Sequence, residues 1–301
     1  MRLKPVYWLV LLSLVLLVCP AGGAAQEKAP TPEAKSSTAP APKPEAVQAP
    51  ASPAPTATAE KPDPKQVLRQ MCDYLKSLKE FSFKGEITDD QTFEAGNKLQ
   101  FAFGVEGYVK RPDKIRINAK GDLQNKEVLY DGQTFTIFDT VKKFYVSAAM
   151  PPTIDEALAK VNNDYGIRLI VADLAKTNLF DSITAGAEDQ LYVGEGVVFG
   201  VKCHHIAFDK EKIEVQLWVD ASDKPVLRKA VVTFKEVDLS PQWTLYLTEW
   251  NVSPQLADGM FAFSPPQGAI KADFVGEIEK AAAAKKEKEK PKKKKKKGGQ
   301  S

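Results

Sequence analysis

Histidine is almost missing from this chain: there are two in 301 residues, and they are adjacent, His204 and His205. Neighbours on a strand point to opposite faces, so the pair cannot chelate one ion. Cys203 and His205 would share a face, yet two ligands fall short of a zinc site. Neither a metal nor another cofactor is expected. Cysteine is nearly as scarce, with three in all. Cys19 lies in the leading apolar stretch, Cys72 on an expected helix and Cys203 on an expected strand. Whether the last two form a disulfide stays open, because spacing says nothing about geometry. A Gly-x-Ser-x-Gly elbow and a phosphate-binding glycine loop are both absent. Asp89, Asp90, Asp131, Asp139, Asp220 and Asp223 fall near expected turns, where turn chemistry explains most of them better than acid–base work does. These absences argue against an enzyme.

Long apolar runs are missing too. The longest, Val6 to Val18, is too short to span a bilayer comfortably, and it follows the basic residues Arg2 and Lys4. With the small residues Ala21 to Ala25 behind it, the span 1–25 reads as an export signal. A competing reading treats Leu16-Leu-Val-Cys19 as a lipobox and Cys19 as a lipid anchor; Val18 and Pro20 fit that poorly. Residues 26–64 are dominated by Pro and Ala and cannot bury enough apolar surface to offset ordering entropy, so a disordered spacer is expected.

The chain also has little net charge, +3 overall, but the charge is unevenly placed. From Lys280 onward eleven lysines stand against two glutamates, so the body before them is acidic. The expected tail, 275–301, is a disordered Lys-rich segment, either a solvated solubility tail or a means of attraction to phosphate-rich membrane surfaces. An acidic body on an exported chain gives no reason to expect nucleic acid as a partner.

What is present between 65 and 274 is one β-rich domain. It opens with a helix, with Asp63-Pro64 as the start signal and Val67, Met71, Tyr74, Leu75 and Leu78 at helical spacing. From 81 to 148 the period changes to two and the chain reads as six strands, with Gly121-Asp122 and Asp131-Gly132 as hairpin turns. Pro151-Pro152 stops the strands. Thr153 then caps a helix through about Asp164, with Glu156 at the capping-box position, and Leu169 to Leu179 form a second helical piece. Five more strands follow, up to Trp250. A single sheet of about eleven antiparallel strands cannot stay flat; it must curl, and the helices can plug its concave face. The fold class is mainly β with α.

Three short segments occur in order along this body: Gly107-Tyr-Val-Lys-Arg-Pro-Asp113, Tyr130-Asp-Gly-Gln-Thr-Phe-Thr-Ile-Phe138 and Phe261-Ala-Phe-Ser-Pro-Pro-Gln-Gly268. In that order and spacing they resemble the LolA-like family of bacterial lipoprotein carriers. Tyr165-Gly-Ile-Arg-Leu169, Cys203-His-His-Ile-Ala-Phe208 and Trp250-Asn-Val-Ser-Pro254 look more like an uncharacterised group of predicted periplasmic proteins within the same superfamily. The resemblance implies a periplasmic, unclosed antiparallel β-barrel whose apolar hollow holds acyl lipid or a lipoprotein. It also implies that the arginine of Lys110-Arg-Pro112 hydrogen-bonds helical lid segments and holds the empty cavity shut.

Strand parity supplies candidates for that hollow. Leu99, Phe101, Phe103 and Val105 share one face of the second strand, and Ile115 and Ile117 share one face of the third. Arg111 has the parity of Phe101 and Val105, and Pro112 ends the pairing, which puts Arg111 at the rim, where the resemblance makes it the lid lock. The insert from 153 to 179 is either the lid or a fixed plug. By position it serves as the lid, although its residues do not repeat the carriers' motif. Besides a carrier, a lipid-sensing regulatory protein and a structural envelope protein with no ligand remain alternatives.

Overall fold

Asp63 sets the first helix, accepting the Lys65 N–H on its carboxylate at 3.1 Å with Pro64 at the first helical position. The computed structural model describes residues 61–123 and 125–274. The expected export signal, the Cys19 alternative, the Pro/Ala-rich stretch before 61 and the Lys-rich tail lie outside the described residues. Helix α1, Pro64–Ser77, buries Val67, Leu68, Met71, Cys72 and Leu75 on one face. Six strands follow: β1 Glu80–Thr92, β2 Lys98–Lys110, β3 Lys114–Gly121, β4 Asn125–Tyr130, β5 Thr134–Asp139 and β6 Phe144–Ala149. The insert comprises α2 Ile154–Tyr165, a 3-10 turn Ile170–Ala175 and α3 Leu179–Thr184. Then come β7 Ala187–Val198, β8 Val201–Lys210, β9 Ile213–Asp220, β10 Leu227–Phe234 and β11 Gln242–Asn251.

The eleven strands stand where alternation places them. A twelfth, β12 Ile270–Lys271, is two residues long, too short for any periodicity to reveal, and pairs parallel with β6. The sheet order is β12-β6-β5-β4-β3-β2-β1-β11-β10-β9-β8-β7, so its ends are separate strands and the barrel is unclosed.

Register lines the inner face up in rows that cross the strands. One row runs Phe81, Val109, Ile115, Tyr130, Phe135 and Ala148; the next runs Phe83, Gly107, Ile117, Val128, Ile137 and Val146. On the other half of the sheet a row runs Phe103, Ile87, Leu245, Ala230, Leu217 and Ile206. These side chains form one core with the apolar faces of α1, α2, the 3-10 turn and α3. The outer face of β3 to β6 is covered by the returning segment after β11. Phe261 is fully buried there, Phe263 packs on Phe138 and Tyr145, and Arg116 donates to the Met260 carbonyl at 3.1 Å.

The helix caps follow the sequence. The Thr153 hydroxyl accepts the Glu156 N–H and donates to the Glu156 carboxylate at 2.8 Å, while Gly166 closes α2 at φ 66°. Cys72 and Cys203 are free and buried. Cys72 faces the core under α1, and Cys203 lies on the outer side of β8, sharing parity with His205 rather than with the core residue Ile206. The sheet stands between the two thiols, and burial raises the Cys72 thiol to about 12. Asp131 and Asp139 do make turn bonds, but Asp89 and Asp90 do not lie near a turn. Both lie inside β1, and the β1–β2 turn closes later, where Phe93 donates to Asn97 and Gly96 to Phe93.

Gly107 is where the core comes closest to the backbone. A Cβ there would sit 2.1 Å from the tip of the Phe83 ring, and that ring is held between Phe81 and Trp250, the latter 5.5 Å away. Gly104, on the same strand but facing out, has nothing nearer than 3.8 Å to its absent Cβ. Gly107→Ala should therefore lower unfolding free energy by about 1–3 kcal/mol in urea titrations, with Gly104→Ala near neutral. Equal effects would show that the Phe83 contact does not constrain the core.

Candidate functional site

Four consecutive residues, Lys110-Arg-Pro-Asp113, connect pieces of the molecule that the sequence keeps far apart. Lys110 points to the outer face. Its ammonium bridges Glu80 at 3.2 Å and Asp258 at 2.9 Å, and it donates to the Leu256 carbonyl at 3.0 Å. Hydrogen bonds to Asp258 and Glu80 hold this amine above its ordinary range. Arg111 points the other way, as alternation requires. Its Nη1 donates to the Ala175 carbonyl at the end of the 3-10 turn, and its Nη2 donates to the Leu75 carbonyl in the last turn of α1 at 3.4 Å. The guanidinium also lies 5.8 Å from the Phe81 ring centroid. The Pro112 carbonyl accepts the first N–H of α2, from Ile154, at 3.0 Å. Asp113 lies against Gly132, whose φ of 96° and missing Cβ leave room for its carboxylate.

Arg111 is not fully satisfied. Its Nε–H is buried without an acceptor, and burial lowers the guanidinium's pKa, against which the charge of Asp155 works. Arginine keeps its charge in proteins, so the guanidinium stays a cation held by carbonyl dipoles, with no carboxylate bonded to it among the described residues. Asp155 is occupied elsewhere: its carboxylate accepts the Thr177 N–H at 3.0 Å and the Thr177 hydroxyl at 2.8 Å, tying the start of α2 to the segment before α3. The Arg69 guanidinium lies 3.8 Å over the Phe180 ring and joins α1 to α3. The helices on the inner face are thus linked to one another by a few polar contacts, and to the β2 rim through Arg111.

The apolar residues read from alternation divide by depth. Val105, Ile115 and Ile117 are buried in the core, and Phe103 is partly buried against it. Phe101 is half-buried, one row further out. Leu99 has the expected parity but is 45% exposed, so it is not part of the covered face. Its row, shared with Gln91, is the next to last of the β1–β2 pairing, where the hairpin runs out toward its turn.

The sequence reading missed Asp89, which is 5% exposed and has the inner-face parity of Ile87. Gln91 Nε2 donates to it, and no cation pairs with it among the described residues. Burial raises its carboxyl from 3.8 to about 7, with the Gln91 bond opposing and the adjacent Asp90 adding to the rise. Asp90 faces out and is well held by Lys98 at 2.9 Å, Gln100 at 3.1 Å and the Gln242 N–H at 3.1 Å; these bonds overcome burial and lower its pKa. One available signal was the Asp-Asp pair itself, since aspartate is depleted in strand interiors.

His204 and His205 do point apart. His204 Nδ1 lies 3.0 Å from the Tyr192 hydroxyl, whereas His205 stacks on Trp218 at 3.9 Å and meets Gln216 Oε1 at 3.1 Å. Among the described residues no group of three His, Cys, Asp or Glu could hold a metal ion. A cavity of ≈ 270 Å³ opens on the outer face between β4–β6 and the returning segment, and Asp131, Thr134, Thr136, Ser147 and Lys271 make its lining largely polar.

Residues 64–275 match the model of a family described as "Predicted periplasmic protein (DUF2092)". The chain belongs to this family. It is a periplasmic protein whose described residues form an unclosed antiparallel sheet with helices on its inner face. No curated protein matches it. Among solved structures it is similar to an uncharacterized conserved protein from Thermus thermophilus, at 8% identity and TM-score 0.41, covering 69% of this chain and 98% of the other. It is also similar to the lipoprotein LppX from Mycobacterium tuberculosis, at 13% and 0.38, covering 64% and 98%. A LolA superfamily protein from Nitrosomonas europaea is similar at 12% and 0.31, covering 66% and 97%.

Removing the buried carboxylate tests its energetics. Below about pH 4 the carboxyl is protonated in both folded and unfolded chains and costs nothing. As pH rises toward 7 the unfolded chain releases this proton and the folded one keeps it, so stability falls and then levels off once the folded group has ionised. Asp89→Asn should therefore match wild type near about pH 4 and exceed it above about pH 7. The gain should be on the order of a few kcal/mol, at ~1.4 kcal/mol per pKa unit. Urea unfolding across this range gives the answer. A stability difference that does not change with pH would contradict the buried, proton-holding carboxyl.

Proposed function

We propose that this protein is a periplasmic carrier for acyl lipid or lipoprotein, and that the described structure is its closed form. The observation that carries this reading is Arg111, a partly buried cation that bridges two helix-end carbonyls while its Nε–H goes without an acceptor. Buried unpaired donors are costly and rare, and one placed at the joint between sheet and helices suits a contact meant to break. Behind it lies the material a carrier needs, an apolar inner face with apolar helix faces against it. Removing an acyl chain from water is worth ~0.8 kcal/mol per methylene. Uptake would exchange helix-on-sheet burial for chain-on-sheet burial, with the helices moving as a linked set when the Arg111 contacts release. The Lys-rich tail would add attraction to anionic headgroups at the membrane where cargo is received or delivered. Protein contacts alone, as in a sensor, would not need a releasable joint over an apolar face.

Arg111→Gln tests the joint, because glutamine keeps polarity but cannot span two carbonyls with a charged fork. A fluorescent fatty-acyl probe should bind wild type at one per chain. It should associate with the variant ~10-fold faster, since a lost charge-assisted bond is worth about 1.5–3 kcal/mol. A wild-type protein and a folded variant that both exclude the probe would leave the structural-envelope reading standing and remove the carrier.

A further inference from the structure

Register places Asp89 in a row with Phe101 and Trp243 as its direct neighbours on the two flanking strands, continuing to Val232, Val215 and Phe208. Asp89 is the only charged side chain in that row; from Phe101 to Phe208 its other members are aromatic or aliphatic, and the row ends on β7 at Gln190. Directly opposed residues on adjacent strands have Cβ atoms about 4.5–5.5 Å apart, so Phe101 and Trp243 are the nearest cross-strand neighbours of Asp89. Trp243 is buried and Phe101 half-buried, with the exposed Leu99 one row further out toward the hairpin turn. The carboxylate therefore lies one row inside Leu99, with the buried Gln91 beside it on its own strand. Lysine and arginine near this part of the hairpin are used elsewhere: Lys98 bonds Asp90 on the opposite face. A buried carboxylate with aromatic cross-strand neighbours, bonded by Gln91 and met by no cation among the described residues, is an arrangement that attracts a cation, through charge and through the ring quadrupoles together.

Resting on the carrier reading above, we propose that Asp89, Phe101 and Trp243 form a headgroup site for an ammonium ion, so that the cargo is an amine-bearing amphiphile. The site and the Arg111 joint lie at opposite ends of β2. Ten residues at about 3.3 Å each separate Phe101 from Arg111, roughly 33 Å along the inner face. The ammonium would pair with Asp89 while the acyl chain runs toward the Arg111 end, over Phe103, Val105 and the rows beyond. Pairing would also relieve the unfavourable ionisation of a buried carboxylate, because a bound cation is the partner that Asp89 lacks among the described residues.

The full exported chain, titrated at about pH 8 with lysophosphatidylethanolamine and with lysophosphatidylglycerol of the same acyl length, separates the possibilities. Wild type should bind the amine ~10-fold more tightly, a difference of the size expected for a partly desolvated cation–π and charge contact. Asp89→Asn should bind both lipids alike. Phe101→Leu, at a half-buried position, should keep the fold and reduce the preference a few-fold. Equal affinities in wild type, or a preference that survives in Asp89→Asn, would overturn the headgroup site while leaving a carrier of acyl chains intact. If wild type binds neither lipid, the carrier reading falls and this proposal falls with it.

Discussion

An open sheet with an apolar face has to cover that face with something. A closed barrel can cover its interior with its own far wall, but here β12 and β7 end the sheet as separate strands. Leaving the inner rows wet would forfeit the apolar burial that drives folding. The chain resolves this with α1 and the insert between β6 and β7, whose apolar faces complete one core with the sheet. Much of the rest follows from that need. The helices must be anchored at their ends, the sheet must leave room for side chains that reach across it, and the returning segment covers the outer face of β3 to β6.

Lys110-Arg-Pro-Asp113 is the point at which these requirements meet. Alternation sends Lys110 to the outer layer and Arg111 to the inner one, so two adjacent side chains fasten both coverings to the same strand end. Their bonding differs in kind. Lys110 is saturated by two carboxylates and a carbonyl, whereas Arg111 has only carbonyls and retains an unused N–H. A carbonyl dipole offers a cation less than a carboxylate's full charge does. On the proposed carrier reading, the Arg111 joint is the one that releases.

The extent to which the sequence disclosed this depended on the range of each interaction. Local signals served well: Asp63-Pro64 and Thr153 with Glu156 set helix starts, and alternation located eleven strands and the direction of Arg111. The acceptors of Arg111 were not legible, because they are backbone carbonyls 64 and 36 positions away and carry no side-chain signature. β12 escaped because two residues show no period. Leu99 was given the correct parity but too much depth, since alternation specifies a face and not how far the cover extends along it.

Asp89 shows the reverse failure, in which a local rule was too persuasive. Aspartate is a turn former, and two in succession suggest a loop. Yet β1 continues past both, to Thr92, because β11 pairs with it as far as Asp89 and β2 holds the register to the end. Tertiary pairing overrode propensity at a position where doing so is costly, burying a carboxyl that must keep its proton to stay there cheaply. Such conflicts between local preference and fold concentrate where a protein uses the strain. Arg111 lies at one end of the inner face of β1 and β2, and Asp89 with its partner Gln91 lies at the other, and at both polar chemistry interrupts apolar packing. A filler core gives no reason for a guanidinium N–H without an acceptor at one end and, at the other, a buried carboxyl that no cation meets among the described residues. The proposed carrier gives one, because a groove that opens, takes up an amphiphile in one orientation and closes again would use both.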